Sequence, residues 1–320
     1  MNLRCTVDKH RKYCYNNKMK FSLAAKERRG AMIAKPLTPC VPTRFYGWCP
    51  DGRYSLSASL QNLHDCGFTA ADVSLENISL LDDAWQSVLY AAASRAKALG
   101  IALPVCHLPF YMPSPDDKVA MKRFAQEQSR GIEAAHLMGI PLAVIHPIAR
   151  HSSRTSKQDW FAENIAYLTP LCEKAKKLGV TLAVENMAST KESEHDHLYG
   201  CRAVEIVALA KKLGIKTCWD TGHAHTAGLA QSHEIELLGN TLALVHLHDN
   251  DGSDAHLVPL TGQIDWADVA RGLTAVGYEG VLDFETKTSH LCMYDKTREQ
   301  LAADTLGAAR TLVRMLQTNK

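Results

Sequence analysis

No run of 18 apolar residues occurs in this 320-residue chain, so no stretch is long enough to cross a membrane as a helix. No strand-like run is followed by G-x-G-x-x-G or G-x-x-x-x-G-K-[ST], and no nucleotide cofactor is expected. The ten cysteines never form a C-x-x-C pair. Scattered through a long chain, they fit reduced thiols in a cytoplasmic protein better than a disulfide framework. An apolar leader segment is missing from the first thirty residues, and internal repeats and low-complexity tracts are missing throughout.

The composition is that of a globular chain with material for a large core, 46% hydrophobic and 22% charged. The net charge of +2 hides an asymmetry: residues 1–30 carry nine Lys or Arg against Asp8 and Glu27. The remaining chain therefore holds 27 basic and 32 acidic residues, a mildly acidic body that disfavours a nucleic-acid surface. Residues 1–35 are expected to be a basic, disordered extension, and 36–320 a single domain.

From about residue 43, short β-type runs alternate with longer amphipathic stretches. Strands are predicted at 43–49, 71–75, 101–106, 142–146, 181–185, 216–220, 242–247 and 281–285. Helices are predicted at 55–66, 82–99, 117–138, 158–178, 201–213, 233–239, 265–276 and 295–317, several of them followed by glycine. Pro170 predicts a kink or break in the fourth. Eight strands in strict alternation with eight helices predict one (β/α)₈ barrel of the α/β class.

Active sites of such barrels lie at the C-terminal strand ends. Here six successive strands end on His107, His146, Glu185, Asp220 (with His223 just after), His246 and Glu285, and Asp254-Ala-His256 follows the seventh. Imidazole and carboxylate together suit a divalent Zn, Mn, Fe or Co ion better than Mg or Ca. One such residue is an ordinary loop polar group; six in consecutive register point to a metal site. Trp48, Trp219 and Phe110 near the strand ends are candidates for stacking on a substrate.

The segments C-H-L-P-F, V-I-H-P, V-E-N, W-D-T-G-H, H-L-H-D-N-D-G-S-D-A-H and F-E-T span 106–286. In kind and order they resemble the xylose-isomerase-like barrel superfamily, which holds sugar and sugar-phosphate isomerases and epimerases together with endonuclease IV-type abasic-site nucleases. In the isomerase and epimerase branch the resemblance implies one divalent ion held by Glu185, Asp220, His246 and Glu285. His248 shares the face of His246 and is the alternative on that strand. The two glutamates would also move protons, and His223 would lie beside substrate. Removal of a proton next to a carbonyl, with a metal polarising that carbonyl, is the chemistry such a set serves.

In the nuclease branch the resemblance implies a three-zinc cluster whose further ligands correspond to His107, His146, His223, Asp254 and His256, all present. The sequence departs from that branch elsewhere. Leu260-Thr261-Gly262 stands where the family has Gly-Glu-Gly, V-E-N is not followed by a glycine-rich stretch, and the barrel body is acidic. The expected function is therefore a metal-dependent isomerase or epimerase of a small sugar or sugar phosphate. A zinc-dependent abasic-site nuclease is the second reading, and an idle sugar-binding barrel the third. Barrels of this family often pair, so a homo-oligomer is compatible with the sequence.

Overall fold

The computed structural model describes residues 39–46, 53–114, 116–148, 157–189, 198–287 and 297–318. The extension at 1–35, Trp48, Arg150, Arg154 and residues 191–197 lie outside them. Eight parallel strands close into a barrel in chain order: β1 Pro39–Pro42, β2 Ala70–Ser74, β3 Ala102–His107, β4 Leu142–Ile145, β5 Thr181–Glu185, β6 Lys216–Asp220, β7 Leu242–His246 and β8 Val281–Asp283. The surrounding helices are α1 Leu56–Asp65, α2 Trp85–Leu99, α3 Lys118–Met138, α4 Lys157–Leu178, α5 Ala203–Leu213, α6 Thr221–Thr226, α7 Gln231–Leu238, α8 Trp266–Ala275 and α9 Arg298–Thr318.

The strands are covered on both faces, which is why they read as near-continuous apolar runs such as Leu-Ala-Val-Ile in β4. Their inward residues Cys40, Ala70, Val105, Val144, Ala183, Cys218 and Leu244 pack into a buried plug. Side chains alternate with period two along a strand. Two residues beyond the plug therefore come Asp72, His107, His146, Glu185, Asp220 and His246, on the same inward face and one layer nearer the mouth. Val281 leads likewise to Asp283 and then Glu285. The same rule that fills the barrel with small apolar groups loads its upper layer with ligand-type side chains.

Three expectations need correction. The first strand is Pro39–Pro42, and Thr43–Phe45 forms a single 3₁₀ turn instead of opening the strand. The Thr43 side chain turns inward there, accepting from the Ser74 backbone N–H at 2.9 Å. Of the kink or break expected at Pro170, the break is overturned, for α4 runs through it from Lys157 to Leu178. Pro170 is exposed, so the carbonyl one turn back that loses its partner faces water. Finally, α6 was not expected as a helix. Asp220 caps it, accepting from the His223 N–H at 2.7 Å. Elsewhere the predicted elements stand, including α8 with Asp265 as its N-cap.

Candidate metal centre

Glu185 is the hub of the upper layer. Its Oε2 lies 3.1 Å from His107 Nε2 and 3.0 Å from His146 Nε2, and its Oε1 lies 2.9 Å from His246 Nδ1. His223 Nδ1 is 3.6 Å from the same Oε1 and 3.8 Å from Asp220 Oδ2. Asp220 in turn meets His248 Nε2 at 3.0 Å. On the far side, Asp254 Oδ1 lies 3.2 Å from His256 Nε2, 3.8 Å from His223 Nε2 and 3.9 Å from His248 Nε2. The rings of His248 and His256 stack with centroids 3.8 Å apart.

The second nitrogen of several rings decides what the first presents. Nδ1 of His107 faces the Leu108 carbonyl at 2.8 Å, that of His223 the Asn186 carbonyl at 2.8 Å, and that of His256 the Glu285 carbonyl at 2.7 Å. A carbonyl only accepts, so each Nδ1 carries the proton. A neutral ring then offers a bare Nε2 lone pair, and for His107 and His256 that lone pair faces a carboxylate oxygen. Lone pair against lone pair is repulsive until a proton or a cation comes between them. This is the arrangement in which histidine ligands are held for a metal.

Four sets of donor atoms lie close enough together to share an ion: His107, His146 and Glu185; Glu185, Asp220 and His223; Asp220, His248 and Glu285; and His223, His248, Asp254 and His256. They draw on every sequence-predicted ligand except His246. The strand-7 histidine that joins them is His248, although His246 Nδ1 also lies 3.9 Å from Asp220 Oδ2 and 3.8 Å from Glu285 Oε1.

Several residues that the sequence did not single out build this geometry. Asn186 ties β5 to β6 by accepting from the Asp220 N–H at 2.6 Å and donating to its carbonyl at 3.0 Å. Gly222 leaves the space that the His248 ring fills; a Cβ there would lie inside the imidazole. Asp249, fully buried, holds the loop after β7, accepting from the N–H groups of Asn250 and Ile264 at 3.0 Å each and from the Trp266 indole at 2.7 Å. The signals were present as V-E-N, D-T-G-H and H-D-N, but the partners are set only by the folded loops.

Two non-glycine residues adopt left-handed backbone, His256 at φ 51° and Leu260 at φ 74°. Leu260 stands where the resembled family has glycine, and its backbone shows why glycine serves there. Gly262, the one residue of that turn kept as glycine, packs against the Asn250 carbonyl and the Asp249 carboxylate, which a Cβ would overlap.

Burial works against charge at every group here, and neighbours decide the outcome. For Glu185 the surrounding His246, His146 and His107 outweigh burial and hold it well below the carboxylate range. Arg44 and His246 do the same for Glu285, which receives the Arg44 Nη2–H at 3.0 Å. Burial opposes a charged His223, yet Asp220, Glu185 and Asp254 lift it to about 9. His256 goes the other way, pushed by burial and then by His248 down to about 4. Above these groups opens a cavity of about 530 Å³, lined also by Arg44, Phe45, Phe110, Tyr111, Met187 and Lys287. Phe110 is thus at the mouth as expected, whereas Trp219 is fully buried and donates to Gln231 at 2.9 Å. Among the described residues no helix is long and apolar enough to cross a membrane.

Comparison with known proteins agrees with this architecture. Among solved structures, a D-tagatose 3-epimerase-like protein superposes with a TM-score of 0.69 at 19% identity, covering 88% of this chain and 99% of that one. An L-ribulose 3-epimerase superposes at 0.66 with 21% identity, covering 87% and 94%. At these identities the likeness is one of fold. An uncharacterized protein of Methanocaldococcus jannaschii, MJ1311, is 25% identical over 242 residues, 73% of this chain and 80% of that protein. A probable endonuclease 4 of Acholeplasma laidlawii is 24% identical over 173 residues, half of this chain and 56% of that protein. The sequence model of the xylose isomerase-like TIM barrel matches residues 60–312, nearly the whole barrel from α1 to α9. The chain is a member of the xylose isomerase-like TIM barrel family.

Proposed function

We propose that the chain is a divalent-metal-dependent isomerase or epimerase of a small sugar or sugar phosphate. The carrying observation is the pair Glu185 and Glu285, both held ionised, whose Oε1 atoms flank His246 Nδ1 at 2.9 and 3.8 Å beneath one cavity. The donor set fits a metal such as Zn, Mn, Co or Fe, because imidazoles anchored through Nδ1 turn bare nitrogens toward carboxylates. Asp220, His248 and Glu285, which form one of the four sets, would hold it, with Glu185 joined to them through Asp220 and His248 taking the strand-7 place expected for His246. A bound ion supplies Lewis acidity toward a substrate carbonyl and its neighbouring hydroxyl.

Glu185 and Glu285 are poised as bases. In this reading one, as carboxylate, takes the proton from the carbon beside the carbonyl. The other, after taking up a proton from solvent, delivers it to the opposite face and inverts the centre. Delivery to the old carbonyl carbon, with transfer of the hydroxyl proton to its oxygen, shifts the carbonyl instead. His223, with its Nδ1–H fixed to the Asn186 carbonyl, directs Nε2 toward the cavity where a substrate hydroxyl would lie. Phe110 and Tyr111 at the rim offer ring faces to a sugar. The cavity, about 530 Å³, is ample for a monosaccharide.

One observation favours a second reading, abasic-site phosphodiester cleavage. The sets His107, His146, Glu185 and His223, His248, Asp254, His256 offer more donors than a single ion uses. Metal analysis of the dialysed protein and two assays separate the readings. About one ion per chain, with solvent deuterium entering a ketose or aldose panel, supports the isomerase. Three zinc ions with cleavage of abasic-site DNA and no exchange would replace it.

A further inference from the structure

We propose that His246 is a positioning residue, wedged between Asp283 and Glu185, that fixes the Glu185 carboxylate so that its two oxygens serve different donor sets. This rests on the metal reading of the site. His246 is fully buried, one layer above Leu244 of the plug, and does not line the cavity. Its Nδ1 takes Glu185 Oε1 at 2.9 Å, while Glu185 Oε2 alone faces His107 and His146. The terminal torsion of a glutamate is soft and two-fold, so pinning one oxygen fixes where the other points.

The other ring nitrogen separates His246 from its neighbours. His107, His223 and His256 each spend Nδ1 on a backbone carbonyl and direct Nε2 into the cluster. His246 has no such backbone anchor: its ring meets the Cys218 thiol, and its Nε2 lies 3.7 Å from Asp283 Oδ2. Both oxygens of Asp283, and both of Asp72, are buried among the described residues without a nitrogen or oxygen partner. Burial pushes the Asp283 carboxyl up to about 7 and the Cys40 thiol contacts it; an imidazole between Asp283 and the anionic centre offsets part of the cost of holding it there. An imidazole set between two carboxyl groups, 2.9 Å from Glu185 and 3.7 Å from Asp283, resembles the orienting partners found behind metal ligands, here built through the barrel's interior instead of through a backbone carbonyl.

Co²⁺ binding to the full chain tests the assignment, read as equivalents retained, as dissociation constant against a chelator, and as the visible absorption that reports the donor set. His246→Gln should keep the wild-type number of ions and band shape while weakening affinity by roughly 10–100-fold, as loss of an orienting partner does. Asp283→Asn should weaken affinity in the same direction, and His248→Gln should lose an ion or change the bands. Loss of an ion or altered bands in His246→Gln would make His246 a ligand and overturn the proposal. Wild-type affinity in that variant would reduce the ring to packing and overturn it equally. Should His246→Gln fail to fold, Asp283→Asn decides, and unchanged affinity there counts against it. A wild-type chain that takes up no Co²⁺ fails the metal reading itself, and the positioning role with it.

Discussion

At the scale of single residues, the site is a set of buried charges that stabilise one another. If Glu185 and Glu285 carry protons as well as metal, Glu185→Gln and Glu285→Gln keep a carbonyl donor but remove the base. Metal should be partly retained while turnover falls by roughly 10²–10⁴-fold. Recovery of near-full turnover with excess metal would leave them as ligands alone. The metal-free protein carries a pH signature at His223. Its ring, lifted to about 9 by Asp220, Glu185 and Asp254 against burial, binds its proton more tightly folded than unfolded. That contribution to stability is complete below about pH 6.5 and is lost as pH rises through 9. Melts of chelator-stripped His223→Gln should therefore fall furthest below wild type at pH 6 and converge toward it near pH 10. A gap that widens with pH would mean that the folded protein holds His223 neutral instead.

At the scale of elements, the strand pattern was legible because barrel strands are short apolar runs closed by a polar residue, as in Thr181–Glu185 and Lys216–Asp220. Both were predicted with these bounds. The first strand was misplaced because Pro-Cys-Val-Pro has weak β character, and Thr43 and Phe45 just beyond it have more. The ligand-type residues were legible from period two and strand ends. Their supports were not: Asn186, Gly222 and Asp249 act on partners 15 to 37 residues away through loops that no periodicity describes. Gly222→Ala tests this level. The added methyl must displace the His248 ring or shift α6, so metal affinity should drop sharply while the helical circular dichroism persists. Unchanged metal binding would show that His248 is not held where the centre needs it.

At the scale of the molecule, the candidate donors come from β3 through β8 and the segments just after them, while β1 and β2 contribute none to the four sets. The barrel's closure also passes through β1, four residues long, paired with β2 at Val41 and Pro42 and with β8 at Pro39 and Cys40. Two of those four residues are prolines without an N–H to give. Filling the centre with ions should slow amide exchange in β3 to β8, with β1 to β2 gaining least; equal protection in all eight strands would contradict this. Mechanically, the barrel is a hoop fastened by a short clasp. Metal would rivet six of its staves together and leave the clasp to open first, so that the loaded protein's resistance to unfolding would be limited by four residues that never touch the ion.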